Sequence, residues 1–328
     1  MIVVTGGAGF IGSNLVAALE ARGESETMVC DRMGKDERWQ NLRGRELSAI
    51  VPPERLFDFL RGNEKAVDVV FHMGAISDTT ETDAGLLVEN NYLFPLALWD
   101  WCAAHDVRFL YASSAATYGD GSAGFDDDAT SAALAKLKPL NAYGWSKHLF
   151  DRRVARMLAN GANRPRQWAG LKFFNVYGPN EYHKGGQRSV VHQAWGQATT
   201  RGDVTLFRSH RDDVADGEQA RDFIYVDDAV DVMLWLLDHP NVSGLFNLGT
   251  GKARTFKDLA NAVFAALQKK PNIRYIDTPE TIRAKYQYFT EAPMQRLRAA
   301  GYARAFTSLE EGVRRYVQDF LAKPSPYR

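Results

Sequence analysis

Residues 3–12 read VVTGGAGFIG, and the fold turns on whether this run cradles a phosphate or is merely a flexible turn. Glycines stand at Gly6, Gly7, Gly9 and Gly12, directly after the apolar stretch Met1-Ile2-Val3-Val4. A glycine cluster alone decides little, so its surroundings must. A phosphate-binding loop needs a strand before it, a helix after it and an acidic residue about 20 positions on, at the end of the next strand. Met1–Thr5 is strand-like, Ile11–Arg22 is helical and stops at Gly23, and Thr27–Asp31 is a second strand that ends on an acid. Glycine lets the backbone turn tightly and approach a pyrophosphate, whose charge then meets the amides at the helix start. Asp31 is placed to accept hydrogen bonds from an adenosine ribose. The run is therefore read as a dinucleotide site.

The same order repeats further along. Strand-like runs at Val67–Met73, Val107–Ser113 and Trp168–Phe174 alternate with helical stretches at Gly85–Ala104 and Ala142–Leu158. Repeated β-then-α order implies right-handed crossovers and a parallel sheet, and near-continuous apolar strands are those buried on both faces. The expected fold class is α/β, a Rossmann-type doubly wound parallel sheet with a smaller α/β substrate domain. After Asn175 the character changes. Tyr177–Gln187 reads as a loop, Arg208–Ala220 as an exposed, mobile loop, and Arg221–Leu237 as a strand and helix returning to the first domain. A short strand near Phe246 and helices near Thr255–Leu267 and Ser308–Leu321 follow. The expected division is 1–172 with 213–245 for the dinucleotide unit, and 173–212 with 246–328 for the substrate unit. Asp126-Asp127-Asp128 reads as a solvated turn.

Composition excludes several classes. The 328 residues suffice for about two domains. Lys plus Arg and Asp plus Glu each number 40, so the net charge is zero, and neither nucleic acid nor a membrane surface is indicated as partner. Cys30 and Cys102 lie in apolar runs without metal or CxxC spacing, so they read as reduced core residues and no metal is expected. The first apolar stretch has no basic lead-in, and no run approaches the ~18 apolar residues of a membrane helix. A cytoplasmic protein is expected.

The chemistry is carried by NAYGWSKHLF, in which Tyr143 and Lys147 stand at i, i+4 on one helix face. An isolated tyrosine has a pKa of about 10, and a neighbouring ammonium, with the nicotinium charge, is expected to bring Tyr143 into acid/base range. YASSAATYG ends the fourth strand and offers Ser113 and Ser114 to a reacting oxygen. A bare Asp31 favours NAD, but Arg32, Lys35 and Arg38 follow, and a guanidinium pairs a 2′-phosphate bidentately. NADP is therefore the expected cofactor, with NAD the alternative.

These residues give the chain a resemblance to the extended short-chain dehydrogenase/reductase, NAD(P)-dependent epimerase family. It is carried by TGGAGFIG (5–12), YASSAATYG (111–119), the Tyr143/Lys147 pair and RDFIYV (221–226). The resemblance implies a triad of Ser114, Tyr143 and Lys147, Ser114 being chosen because it lies four before Tyr118. Ala115 and Ala116 occupy the places where dehydratase relatives carry an Asp-Glu pair, which argues against dehydration. Longer stretches resemble the ADP-L-glycero-D-manno-heptose 6-epimerase subfamily: SDTTETD (77–83), KPLNAYGWSKHLFD (138–151), FFNVYGPNEYHKGG (173–186), FNLGTGKARTF (246–256) and KYQYFTEA (285–292).

That resemblance implies an ADP-heptose substrate inverted at C-6, a step toward lipopolysaccharide core, with a retained NADP and a homo-oligomer, typically a pentamer. It places cofactor contacts at Gly6, Gly9, Phe10, Ile11, Gly12, Asp31, Arg32, Arg38, Met73, Gly74, Ala75, Ile76, Ser77, Asn90, Lys147, Val176 and Lys184. Substrate contacts are expected at Asn175, Gly186, His192, Phe207, Arg208, Ser209, His210, Arg221 and Tyr286. Lys184, beside His183 and the flexible Gly185-Gly186 pair, is expected to be a second acid/base. A UDP-galactose 4-epimerase would share the triad without needing that lysine. A non-catalytic dinucleotide sensor would typically lose the Tyr or the Lys, and both are kept.

Overall fold

The computed structural model describes residues 1–283 and 286–328, so Lys285, which opens the KYQYFTEA run, lies outside the described residues. In chain order the strands are β1 (Ile2–Thr5), β2 (Thr27–Cys30), β3 (Ala49–Val51), β4 (Val69–His72), β5 (Arg108–Ser114), β6 (Trp168–Phe173), β7 (Asn175–Tyr177), β8 (Val204–Phe207), β9 (Ala220–Tyr225), β10 (Gly244–Leu248), β11 (Ala253–Thr255) and β12 (Ile273–Ile276). Seven form one sheet in the order β3-β2-β1-β4-β5-β6-β10. Every neighbour in it is parallel. The chain order reverses between β1 and β4, which opens a crevice at their carboxyl ends where ligands of such sheets bind.

Burial on both faces follows from the strand sequences. Val3, Val70 and Phe109 join the apolar cluster on one side, while Val4, Phe71 and Leu110 join the cluster on the other. Side chains alternate along a strand, so each strand must be apolar throughout to satisfy both layers. Cys30 and Cys102 are buried and free. Among the described residues no helix is long and apolar enough to cross a membrane.

The chain leaves the large sheet at Phe174, whose amide donates to the Leu248 carbonyl. It enters a small sheet of order β11-β9-β7, beside a β12-β8 pair. The helices Val190–Thr200, Phe256–Ala266 and Leu309–Arg315 cover these strands, and Phe256–Ala266 starts in a capping box of Thr255 and Asp258.

Five expectations need correction. The strand expected to return from Arg221 to the dinucleotide unit is β9, which pairs with β7 and β11 in the small sheet because the chain has already left the large one at Phe174. The strand near Phe246 is β10, paired along its whole length with β6 in the large sheet rather than lying in the second unit. The stretch Gly85–Ala104 is not one helix: a π turn at Glu89–Leu93 separates Ala84–Val88 from Phe94–Ala104. Tyr177–Gln187 holds a 3-10 turn at Tyr182–Gln187 rather than only loop. Asp127 is not solvated. It is 2% exposed, and its carboxylate accepts from the Asn247 amide at 2.7 Å on β10.

Candidate active site

The glycine loop joins β1 to the helix Phe10–Ala21, and close approach explains its composition. A Cβ on Gly6 (φ 66°) would lie 2.5 Å from the Gly74 nitrogen, and one on Gly12 would lie 2.1 Å from the Gly6 carbonyl oxygen. The helix has no side-chain cap and no acid in its first turn, so its free amides face the cavity without a protein anion in the way. Asp31 follows β2 and accepts from the Ala8 amide at 2.9 Å, while burial pushes its carboxyl up. The Arg38 guanidinium stands 3.6 Å from Asp31 and is clamped on Asp36 at 2.7 Å. This cradle, carboxylate and guanidinium fit a nicotinamide dinucleotide.

Beyond β4, Met73, Gly74, Ala75, Ile76 and Ser77 form the facing wall. The π turn rotates Asn91 inward, where its Oδ1 accepts from the Ile76 amide and its amide donates to the Ile76 carbonyl, both at 2.9 Å. Asn90 instead points away, accepting from Arg32 at 3.0 Å and donating to the Leu86 carbonyl. Arg32 also pairs with Glu54 at 2.6 Å. Neither Arg32 nor Asn90 lines the cavity. An extra residue in the helix turned Asn91 rather than Asn90 to the site, and the helical spacing did not reveal that.

Ser114 ends β5, and Tyr143 and Lys147 lie near the start of the helix Ala142–Ala159, capped by Asn141. All three line a cavity of about 660 Å³ with Gly6, Asp31, Asn175, Val176 and Lys184. The Lys147 ammonium is buried and donates to the Ala112 carbonyl at 2.9 Å, and burial lowers its pKa to about 8. Burial pushes the Tyr143 phenol up, opposed by hydrogen bonding with Ser114. Desolvation leads at Tyr143, and the Lys147 ammonium is committed to the Ala112 carbonyl. His72, buried against Thr5 at 2.7 Å, is held neutral with a pKa of about 3.

Lys184 comes from the second unit, on the 3-10 turn Tyr182–Gln187, with its ammonium 5.5 Å from the centre of the Phe10 ring. Burial lowers its pKa, and the Glu181 carboxylate opposes that shift. A second cavity, of about 770 Å³, shares Ser114, Tyr143 and Asn175 with the first and extends to Arg221 and Tyr286. The Arg221 guanidinium lies 5.6 Å from the Tyr286 ring centre, and burial lowers its pKa to about 10.

Several expected substrate contacts line neither cavity: Gly186, His192, Phe207, Arg208, Ser209 and His210. His192 packs between Tyr182 and Trp195, where burial holds it near 4. Phe207 stands edge-on behind Tyr286 at 6.1 Å. Arg208 pairs with Asp216 and Asp277. Ser209 donates its amide to Asp216, and the His210 ring accepts from the Thr278 amide at 3.2 Å. Sequence reading missed His183 and Gln187 on the first cavity and Thr79–Thr82 and Gln287 on the second. The polar run SDTTETD directly after a strand was the available signal for the threonines.

Fold and family together define an enzyme that depends on a nicotinamide dinucleotide. The chain belongs to the NAD dependent epimerase/dehydratase family, whose model matches residues 2–249. A relative from Nitratidesulfovibrio vulgaris (strain DP4), named ADP-L-glycero-D-manno-heptose-6-epimerase, is 51% identical over 100% of both chains. The crystal structure of Helicobacter pylori ADP-L-glycero-D-manno-heptose-6-epimerase is similar with a TM-score of 0.79 and 28% identity, covering 98% of this chain and 96% of that one. Thermus thermophilus UDP-glucose 4-epimerase, solved in complex with NAD, is similar at a TM-score of 0.75 and 26% identity over 98% and 99% of the chains.

Proposed function

We propose that the chain interconverts ADP-D-glycero-β-D-manno-heptose and ADP-L-glycero-β-D-manno-heptose at C-6, keeping NADP bound throughout. One observation carries the reading: Tyr143 and Lys184, proton-transferring side chains from different units, line one cavity with Ser114. Likeness over the full length to a protein named for this epimerisation supports the substrate. Gly6, Gly9, Gly12 and Asp31 would hold the dinucleotide, and Arg38 beside Asp31 favours a 2′-phosphate.

A bound nicotinamide supplies first the acceptor and then the donor of the C-6 hydride. Tyr143 takes the proton from the C-6 hydroxyl, and Ser114 hydrogen-bonds the same oxygen. Inversion requires the resulting ketone to present its other face, so in its second pose the oxygen lies away from Tyr143. Lys184 moves the proton there. Its burial lowers its pKa and so shifts it toward the neutral amine that can accept a proton.

Denaturing the purified protein should release NADP; release of NAD alone would assign the cofactor otherwise. Lys184→Met should abolish interconversion of the epimers, while the Tyr143 half-reaction, followed with an aldehyde analogue at C-6, partly survives. Interconversion at the normal rate without Lys184 would leave Tyr143 serving both faces. Equal turnover of UDP-galactose would reassign the substrate.

A further inference from the structure

Lys184 sits on a turn whose two sides are held unequally. After it, side chains at Gly185 (φ 54°) and Gly186 would meet open space, and the two carbonyls are held by exposed hydrogen bonds from the side chains of Arg188 at 2.7 Å and Gln193 at 3.4 Å. Before it, the chain is anchored. The Asn180 carbonyl accepts from the Asn41 side chain at 3.1 Å, and the buried Glu181 carboxylate accepts from the Ser189 hydroxyl at 2.6 Å and the Tyr316 hydroxyl at 2.9 Å. Asn180 also donates to the Ser13 hydroxyl at 3.0 Å, and further anchors come from residues 325–328. The Tyr182 hydroxyl donates to the Pro326 carbonyl at 2.7 Å, the Tyr182 and Tyr327 rings meet edge-on at 5.0 Å, and the Arg328 amide donates to Asn180 Oδ1 at 3.0 Å.

The same segment reaches the cofactor side. Arg43 donates to the Ser325 hydroxyl at 2.5 Å, and its guanidinium lies 5.5 Å from the Tyr327 ring centre. Arg43 directly follows the turn Glu37–Asn41 and its cap Leu42, and that turn carries Arg38. Tyr327 thus touches both the turn beneath Lys184 and the loop beside Asp31.

We propose that residues 325–328 are a positioning strap, in which Tyr327 holds the Lys184 turn against the Arg38 loop so that the Lys184 half of the reaction, and not the Tyr143 half, depends on it. The inference rests on the reading of Lys184 as the second acid/base. Its physical basis is that the Gly185-Gly186 side is held by exposed hydrogen bonds while residues 180–182 are held by buried and half-buried partners, so the lysine's place is set chiefly from residues 180–182, and a misplacement of about 1 Å at an acid/base costs up to roughly a hundredfold in rate. The Tyr327 hydroxyl has no hydrogen-bond partner among the described residues, so the ring alone performs the task.

The test compares Tyr327→Ala, Tyr327→Phe and a chain lacking residues 325–328, each with and without Lys184→Met. In Tyr327→Ala and the shortened chain, kcat for epimer interconversion should fall about 10- to 100-fold with KM nearly unchanged. The Tyr143 half-reaction on the aldehyde analogue should keep its rate, and Tyr327→Phe should behave as the parent. Hydrogen exchange should rise at amides 182–188 and stay unchanged in the helix Ala142–Ala159. With Lys184 already replaced, losing the strap should add no further loss. Normal interconversion in the shortened chain, or equal loss in both half-reactions, would overturn the strap. If Lys184→Met itself interconverts the epimers normally, the acid/base reading fails instead, and exchange at 182–188 still reports whether the strap holds the turn.

Discussion

Tyr143 and Lys184 feel burial in opposite numerical directions but with one consequence. The phenol is pushed up and the amine is pushed down, so each favours its uncharged form. Tyr143→Phe removes the proton carrier while keeping the ring. It should cost about 10²–10⁴ in kcat with the fold intact, as judged by unfolding midpoint. Near-parental turnover would take Tyr143 out of the mechanism. Asp127 gives a separate test of burial. Its carboxyl is raised to about 6, chiefly by desolvation, with the Asn247 amide and Arg296 opposing. The native state therefore binds this proton more tightly than the unfolded chain does. The group's contribution to stability is fully present below the unfolded value near 4 and is lost as pH rises through about 6. Asp127→Asn keeps an acceptor for the Asn247 amide. Its stability relative to the parent should improve by about 1–2 kcal/mol between pH 4 and pH 7. Urea unfolding at the two pH values checks this, and a pH-independent difference would count against it.

The first strand-loop-helix element was legible because each of its parts has a sequence mark: an apolar run, glycines at steric contacts, and an acid at the end of the next strand. Gly12→Ala should force the loop open, since the added Cβ would lie 2.1 Å from the Gly6 carbonyl oxygen. The variant should come through purification without bound nucleotide. Gly44→Ala, with open space around it, should retain it. Absorbance of the denatured supernatant distinguishes the two. The π turn at Glu89–Leu93 was not legible. Nothing in ENNYL shows that one additional residue enters the helix, yet that residue decides which asparagine braces Ile76. The short edge strand β3 and the pair β8 and β12 were missed for a related reason. Three or four half-exposed residues carry too little apolar pattern to separate strand from loop.

The whole molecule joins the catalytic helix to the large sheet through charge that is entirely buried. Lys172 on β6 and Asp151 on the helix Ala142–Ala159 are 3.2 Å apart with both side chains at 0% exposure. Asp151 also accepts from the Ser113 hydroxyl at 2.6 Å and the Tyr111 hydroxyl at 3.1 Å, and Lys172 donates to Thr117 at 2.6 Å. One network therefore spans β5, β6, the turn after β5 and the helix bearing Tyr143 and Lys147. Lys172→Met leaves the carboxylate unpaired in the interior, which should cost about 3–5 kcal/mol at pH 7. Denaturant unfolding of the variant and the parent at pH 7 tests this; a penalty under about 1 kcal/mol would show that the ion pair is not what the residue supplies.

The glycine loop, Asp31 and the Tyr143/Lys147 pair could be read from the chain because their chemistry is local: a tight turn, an i, i+4 spacing and a strand end each constrain neighbouring residues, whereas Ser113 and Ser114 stayed alternatives until the family likeness chose Ser114. Family likeness extended that reading to Lys184, Asn175, Arg221 and Tyr286, all of which line the two cavities. The rest depended on distance in space. That Arg38 rather than Arg32 faces Asp31, that β10 completes the large sheet, that Asp127 is buried, and that His192 and residues 207–210 stand behind the cavity walls all depend on which surfaces pack together. A side chain's partners across the fold are set by desolvation and contact between elements far apart in sequence, and no short window of residues carries that information.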